Sequence, residues 1–334
     1  MKRRTLLATL AAPALARAQP GGPPQPPASA GAPATGPGWP DRPLKLVVPF
    51  PPGGVADVLA RPLAQALAGG LGQPVVVENR GGAAGTIGAA AVARAAPDGL
   101  TLLFGTANEL AMTPPLHPDL PYDPRTGFAP ITPVASFPNV LVVRPGSGLE
   151  TMPALLAEAK RRSLSYASSG IGSTNHLSGA LLAEQAGMAL THVPYSGGGP
   201  ALNDVIAGHV DLFFATLPSV TGHVRGGQLK ALLVTAERRS PALLEVPSAA
   251  EAGLPELLVS TWNGVLAPAG TPRPVVLRLH GAIRSALEEP ALRERYALVG
   301  AEPLTLAPEA FATLLARDLE RWTAVIRRAG IRRE

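Results

Sequence analysis

From Trp39 onward the chain is a series of short apolar runs separated by stretches of helical character, and this alternation constrains the fold more than any other feature. The runs are LKLVV (44–48), PVVVEN (74–79), LTLLF (100–104), VLVV (140–143), LSYAS (164–168), LTHVP (190–194), VDLFF (210–214), KALLV (230–234) and NGVLA (263–267). Each is too short to cross a bilayer and has the length of a strand. Strands that alternate with helices build βαβ units, so the expected class is α/β with mainly parallel sheets flanked by helices. A length of 334 residues suffices for two such lobes. Two late helices are legible from their stripes: Val276, Leu279, Ile283 and Leu287 after a Thr271-Pro272 start, and Phe311, Leu315, Leu319, Trp322 and Ile326 before Gly330. An earlier helix should run from about Ala56 to Ala68, with a kink or break near Arg61, because Pro62 has no N–H to donate.

The first eighteen residues, MKRRTLLATLAAPALARA, have the form of a secretory signal peptide: basic residues, an apolar run and a small-x-small end at Ala16-Arg17-Ala18. The arginine pair Arg3-Arg4 admits either the general or the twin-arginine export route. Residues 19–38, QPGGPPQPPASAGAPATGPG, hold no charged or large side chain and are expected to form a disordered Pro/Gly-rich tether. Removing the leader takes Lys2, Arg3, Arg4 and Arg17 with it, so the formal charge of +5 falls to +1 and no basic surface for nucleic acid is expected. The basic cluster of Arg327, Arg328, Arg332 and Arg333 reads as a solvated end. With no cysteine there is no disulfide, thiolate metal site, cysteine nucleophile or lipid anchor on cysteine, and an exported chain of this kind suits a bacterial periplasm.

Five apolar runs end in small residues before a helix: VVPFPPGGVAD (47–57), ENRGGAAGTIGAA (78–90), FGTAN (104–108), YASSGIGSTNH (166–176) and PYSGGGPALND (194–204). In a parallel α/β sheet such corners share the carboxyl edge, where ligands bind. Glycine lets a ligand approach the backbone, and the following helix start offers unpaired N–H groups, so an anion is the natural guest. None of the corners carries the Gly-Lys-Ser/Thr of a phosphate loop, and Gly82, Gly85 and Gly88 have the wrong spacing for a dinucleotide fingerprint. A small carboxylate is the simplest guest, held by backbone N–H groups and by hydroxyls such as Thr106, Ser168, Ser169 and Ser173. Gly85 and Ala107 belong to the same candidate site.

Catalytic patterns are weak: there is no Gly-x-Ser-x-Gly elbow and no His-Glu-x-x-His pair. His176, His192 and His209 lie near the corners, and each reads more readily as a satisfied structural residue than as a ligand, though His176 beside Ser173 could reach the pocket. Asp57 and Asp204 are single acids at helix starts, where stabilising the helix end explains them equally well. An α/β enzyme acting on a carboxylate through Ser173 and His176 is the competing reading from another class, and it lacks a third, orienting group.

Taken together and in order, VVPFPPGGVAD, VVVENRGGAAGTIGAAAVARAAPDG, LSYASSGIGSTNHLSG, THVPYSGGGPALND and WNGVLAPAGTP resemble the Bug family, the extracytoplasmic substrate-binding proteins of tripartite tricarboxylate transporters, from about Trp39 to Ile331. The resemblance implies a two-lobed periplasmic binding protein of type II, a Venus flytrap, without catalytic activity, metal or cofactor. It places lobe one at about 40–142 plus 265–334 and lobe two at about 143–264, with crossings near Val140–Pro145 and Trp262–Pro268. It implies a carboxylate gripped by Phe50, Pro52, Gly53, Gly54 and Asp57, and closed over by Ser168, Ser169, Gly170, Gly172, Ser173 and His176 together with Tyr195, Ser196, Gly197 and Gly198. The implied partners are a small organic carboxylate and the membrane permease subunits of the transporter, with the receptor a monomer. A receptor that serves a sensor kinase is the variant of the same reading. Ala56 stands where the family often has a small hydroxyl residue and Ser196 where it often has lysine, so the resemblance points to no particular dicarboxylate.

Overall fold

The computed structural model describes residues 38–332, so the signal peptide and nearly all of the expected tether lie outside the described residues. Strands β1 (Leu44–Val48), β2 (Val75–Asn79) and β3 (Thr101–Thr106) alternate with helices α1 (Val55–Leu71) and α2 (Thr86–Ala93). A long strand, β4 (Phe128–Val143), precedes α3 (Met152–Ala159), β5 (Leu164–Ser168), α4 (Thr174–Ala186), β6 (Leu190–Pro194), α5 (Gly198–Ala207), β7 (Leu212–Thr216), α6 (Leu217–Arg225) and β8 (Lys230–Val234). The last elements are β9 (Ser260–Pro268), α7 (Arg273–Glu288), α8 (Pro290–Leu298), β10 (Glu302–Pro303) and α9 (Pro308–Arg328).

The α/β class is as expected, and the strands follow the order β2-β1-β3-β9-β4-β7-β5-β6, with β8 and β10 also paired to β4. Two lobes result, because three strands run parallel at each end of this order, β2-β1-β3 and β6-β5-β7. The joining strands β9 and β4 are antiparallel to their neighbours, an orientation that the alternation of apolar runs does not encode. Apolar residues fill both faces. One core packs α1, α7 and α8 on the first lobe, a second packs α5 and α6 on the second, and a third runs through both lobes beneath α2, α4 and α9.

Two expectations needed correction. Helix α1 runs unbroken past Pro62. The carbonyl that loses its donor is that of Val58, on the exposed flank, while Leu59, Ala60, Leu63, Ala64 and Leu67 bury the opposite face and hold the helix on the sheet. Strand β4 is far longer than the VLVV run, because Pro130, Pro133 and Pro138 hide its first part. The register with β9 shifts just after Pro130 and again after Pro133, and at such bulges a missing N–H costs the ladder little. β4 pairs with β9 through Pro138 and with β7 and β8 from Asn139 or Val140 onward, so the strand passes from one sheet to the other there. Thr235 ties the passage together: its N–H donates to the Asn139 carbonyl at 2.8 Å and its own carbonyl accepts from Val259 at 3.0 Å.

Candidate functional site

The first corner is a turn whose shape is set from within. Gly53 sits at φ +79°, a left-handed conformation that glycine adopts without strain, and Gly54 closes the turn with its N–H on the Pro51 carbonyl at 3.4 Å. The buried Asp57 carboxylate accepts from the Gly53 N–H, from Arg61 Nε and from Asn79 Nδ2, each at 2.9 Å. Burial works to raise its pKa, and the bonds from Arg61, Gly53 and Asn79 outweigh it and hold the carboxyl below the usual range. Asn79 also donates to the Phe50 carbonyl at 3.1 Å, which joins the second corner to the first. The polar atoms of Gly53, Gly54 and Asp57 named here are thus occupied inside the corner. Helix α1 starts without a side-chain cap, so the N–H groups of Val55, Ala56 and Asp57 are the donors its first turn presents, while Pro52 is exposed.

The second and third corners meet beneath the first. Four successive residues, Gly82 to Gly85, have positive φ, including Ala83 at +46° and Ala84 at +54°. Left-handed alanines are strained, and they are held by Thr86 Oγ1 donating to the Ala83 carbonyl at 2.9 Å and by Asn108 Nδ2 donating to the Ala84 carbonyl at 3.0 Å. Gly85 is buried because its Cα face is covered: an added Cβ would lie 3.1 Å from Phe50 Cζ and 3.1 Å from Glu109 Oε2. Thr106 ends β3 with its N–H and its hydroxyl each 2.5 Å from the Glu109 carboxyl, and the methyl of Ala107 lies wholly in the core.

In the second lobe β5 and β6 end side by side, with the Tyr195 N–H on the Ser168 carbonyl at 3.0 Å. Ser168 has no exposed surface; its Oγ stands 2.6 Å from His192 Nε2 and also meets the N–H and carbonyl of Gly170. His176 and His192 stack with centroids 3.7 Å apart and planes 3° from parallel. Burial pushes both down, His176 to about 3, helped by the charge of His192, and His192 to about 4. Ser173 caps α4 and donates its hydroxyl to the Gly170 carbonyl at 2.7 Å, while His176 Nδ1 accepts from the Gly172 N–H at 3.1 Å. Ser173 and His176 therefore touch only through that cap, and the Ser–His side-chain pair that does form, Ser168–His192, is too deeply enclosed to attack a substrate. Ser169 Oγ donates to Asn175 Oδ1 at 2.5 Å, and Tyr195 Oη donates to Asp204 at 2.7 Å. Helix α5 starts at the Gly197–Gly198 step without a side-chain cap, and Ser196 beside it is exposed.

The YASSGIGSTNH corner packs at Gly172 on the segment that follows the third corner: a Cβ there would stand 2.3 Å from Leu116 Cδ1 and 3.9 Å from the Met112 carbonyl. The sequence reading missed Glu109, Asn79 and Arg61. The i, i+4 spacing of Asp57 and Arg61 was the signal for that pair, and a lone acid in the apolar stretch after β3 was the signal for Glu109. Among the described residues no three His, Asp or Glu side chains could hold a metal, and no helix is long and apolar enough to cross a membrane. A recess of about 480 Å³ lies away from the corners, between α4 and α9, and is lined by Glu184, Arg321 and Arg328 among others.

Residues 59–331 match the model of the tripartite tricarboxylate transporter family receptor. Protein BugT of Bordetella pertussis is 39% identical over 302 residues, which cover 90% of this chain and 93% of that protein. Among solved structures, the periplasmic binding protein BugD is 37% identical with a TM-score of 0.81 and covers 89% of this chain and 100% of its own. MatC of Rhodopseudomonas palustris, solved with bound malate, is 35% identical with a TM-score of 0.78 over 86% of this chain and 100% of its own. An R. palustris protein solved with adipate is 35% identical with a TM-score of 0.83 over 88% of this chain and 99% of its own.

Proposed function

The chain belongs to the tripartite tricarboxylate transporter receptor family, and from that premise we propose that it is a periplasmic solute-binding protein that captures a small carboxylate between its lobes for uptake. Export would follow from the leader of residues 1–18, and the folded part would begin near Trp39 after the tether. One carboxylate would lie at the start of α1, against the N–H groups of Val55, Ala56 and Asp57 and the Thr106 hydroxyl, with Phe50 and Gly85 as walls. Asp57 would serve as the strut that shapes the turn rather than as a contact. The other end of the ligand would meet the second lobe at Ser169, Gly170, Tyr195 and the uncapped start of α5 at Gly197 and Gly198. The lobes would be 40–142 plus 265–334 and 143–264.

One observation supports this reading: each lobe presents an uncapped helix start directly after a glycine corner, α1 after Gly53–Gly54 and α5 after Gly197, that offers donors to an anion. Relatives about a third identical that hold malate or adipate support a carboxylate as that anion. Such a protein needs closure rather than chemistry, because a ligand touching both lobes stabilises the closed form through that differential contact alone. Closed, it would engage the permease subunits of a tripartite tricarboxylate transporter as a monomer.

Thermal unfolding of residues 39–334 with mono-, di- and tricarboxylates, aromatic acids, amino acids, phosphates and nucleotides tests the reading, since a ligand of the folded form raises the midpoint. A rise confined to one or a few carboxylates is the expected result. A rise with nucleotides or phosphates instead would overturn it.

A further inference from the structure

Glu109 stands at the meeting of the first three corners as a polar group that the proposed carboxylate grip does not use, and the role inferred for it rests on that grip. Its side chain has no exposed surface. Oε1 accepts from the Thr106 N–H at 2.5 Å, and Oε2 stands 2.5 Å from Thr106 Oγ1. A Cβ on Gly85 would reach within 3.1 Å of both Oε2 and the Phe50 ring, so the carboxyl is enclosed by residues of the site itself.

Among the described residues, no lysine, arginine or histidine acts on this carboxyl. Tyr122 is the other titratable group in contact, its hydroxyl donating to the Glu109 backbone carbonyl at 2.7 Å, and the charged groups of the first corner, Asp57 and Arg61, are paired with each other. Burial without a counter-ion raises the Glu109 pKa to about 8, against the pull of the Thr106 bonds, so the acid keeps its proton at neutral pH.

The hydrogen-bond inventory then decides which way Thr106 faces. A threonine oxygen has one proton and two lone pairs. With Glu109 neutral, Oε2–H donates to Thr106 Oγ1, the Asn108 N–H fills the second lone pair at 3.1 Å, and the Thr106 proton is left to donate outward. With Glu109 ionised, the Thr106 proton must go to Oε2, and the hydroxyl turns a lone pair toward an incoming anion. We infer that Glu109 is a positioning residue for ligand capture: as the neutral acid it makes the Thr106 hydroxyl a donor to the ligand carboxylate, so that binding requires this buried proton to be retained.

Two measurements on the mature protein and its Glu109→Gln variant test this. The variant is apt because an uncharged amide can donate to Thr106 Oγ1 and accept from the Thr106 N–H at any pH. Difference infrared spectroscopy of the unliganded proteins at pH 7 should show a protonated carboxyl band that vanishes in the variant; its absence would overturn the inference while leaving the carboxylate reading intact. Calorimetric titration with malate and adipate should then show wild-type affinity falling about tenfold between pH 7 and pH 9, the fall expected when one group near pH 8 must stay protonated. The Glu109→Gln profile should be flat over the same range. A flat wild-type profile, or an equal fall in the variant, would refute the coupling. If the infrared band is present and neither acid, nor any carboxylate of the thermal panel, binds at any pH, the carboxylate grip fails and the inference fails with it.

Discussion

Within the first corner, neighbouring glycines do different work. Gly53 needs its positive φ, so any side chain there would strain the turn that Asp57 holds. Gly54 lies at φ −72° and ψ 166°, a conformation open to any residue, and a Cβ there would meet only the Pro51 carbonyl at 3.4 Å. Gly54→Val should therefore keep the fold while its branched side chain stands before the N–H groups of α1. We expect an unfolding midpoint close to wild type and an affinity for the carboxylate found in the thermal panel at least about tenfold lower, or about 1.4 kcal/mol. Undiminished affinity in calorimetry would remove the first corner from the site.

The elements β5, α4 and β6 are held together at their site end by the stacked His176 and His192, and this joint has a pH signature. Both rings stay neutral in the folded protein well below their ordinary value, whereas the unfolded chain binds protons near pH 6.5. The joint's contribution is thus complete above pH 6.5 and is lost as pH falls toward about 4, by up to about 1.4 kcal/mol per pH unit for each histidine. Urea unfolding at a series of pH values should show this decline. His192→Gln keeps an acceptor for Ser168 and cannot be protonated, so its stability should fall less steeply over the same interval; an unchanged slope would mean that other groups govern the acid limb.

Across the whole molecule, β4 passes from the sheet it shares with β9 to the one it shares with β7 and β8, and Gly172 packs on Leu116 beyond the third corner. One core is continuous through both lobes beneath α2, α4 and α9, so closure of the lobes has to deform that shared packing as well as the strand passage. A carboxylate that bridges the corners should lower the radius of gyration measured by small-angle X-ray scattering, and saturating ligand without compaction would speak against closure as the signal.

The amino-acid sequence by itself determined the α/β class, the placement of the glycine corners, and the apolar stripes of α7 and α9, because strand and helix periods and turn chemistry are local. It also carried the family resemblance, which is a matter of order along the chain. The course of β4 was hidden because prolines argue against a strand until β9 supplies the bulges that accommodate them. Within the candidate site, the hydroxyl of Ser168 was legible as a polar group but its full enclosure was not, and Asp57 was legible as a helix-start acid but not as the strut of a turn. The stack of His176 on His192 and the neutral state of Glu109 were decided only by tertiary structure. Both depend on desolvation, and which side chain loses its water is set by segments that meet in space from distant parts of the chain.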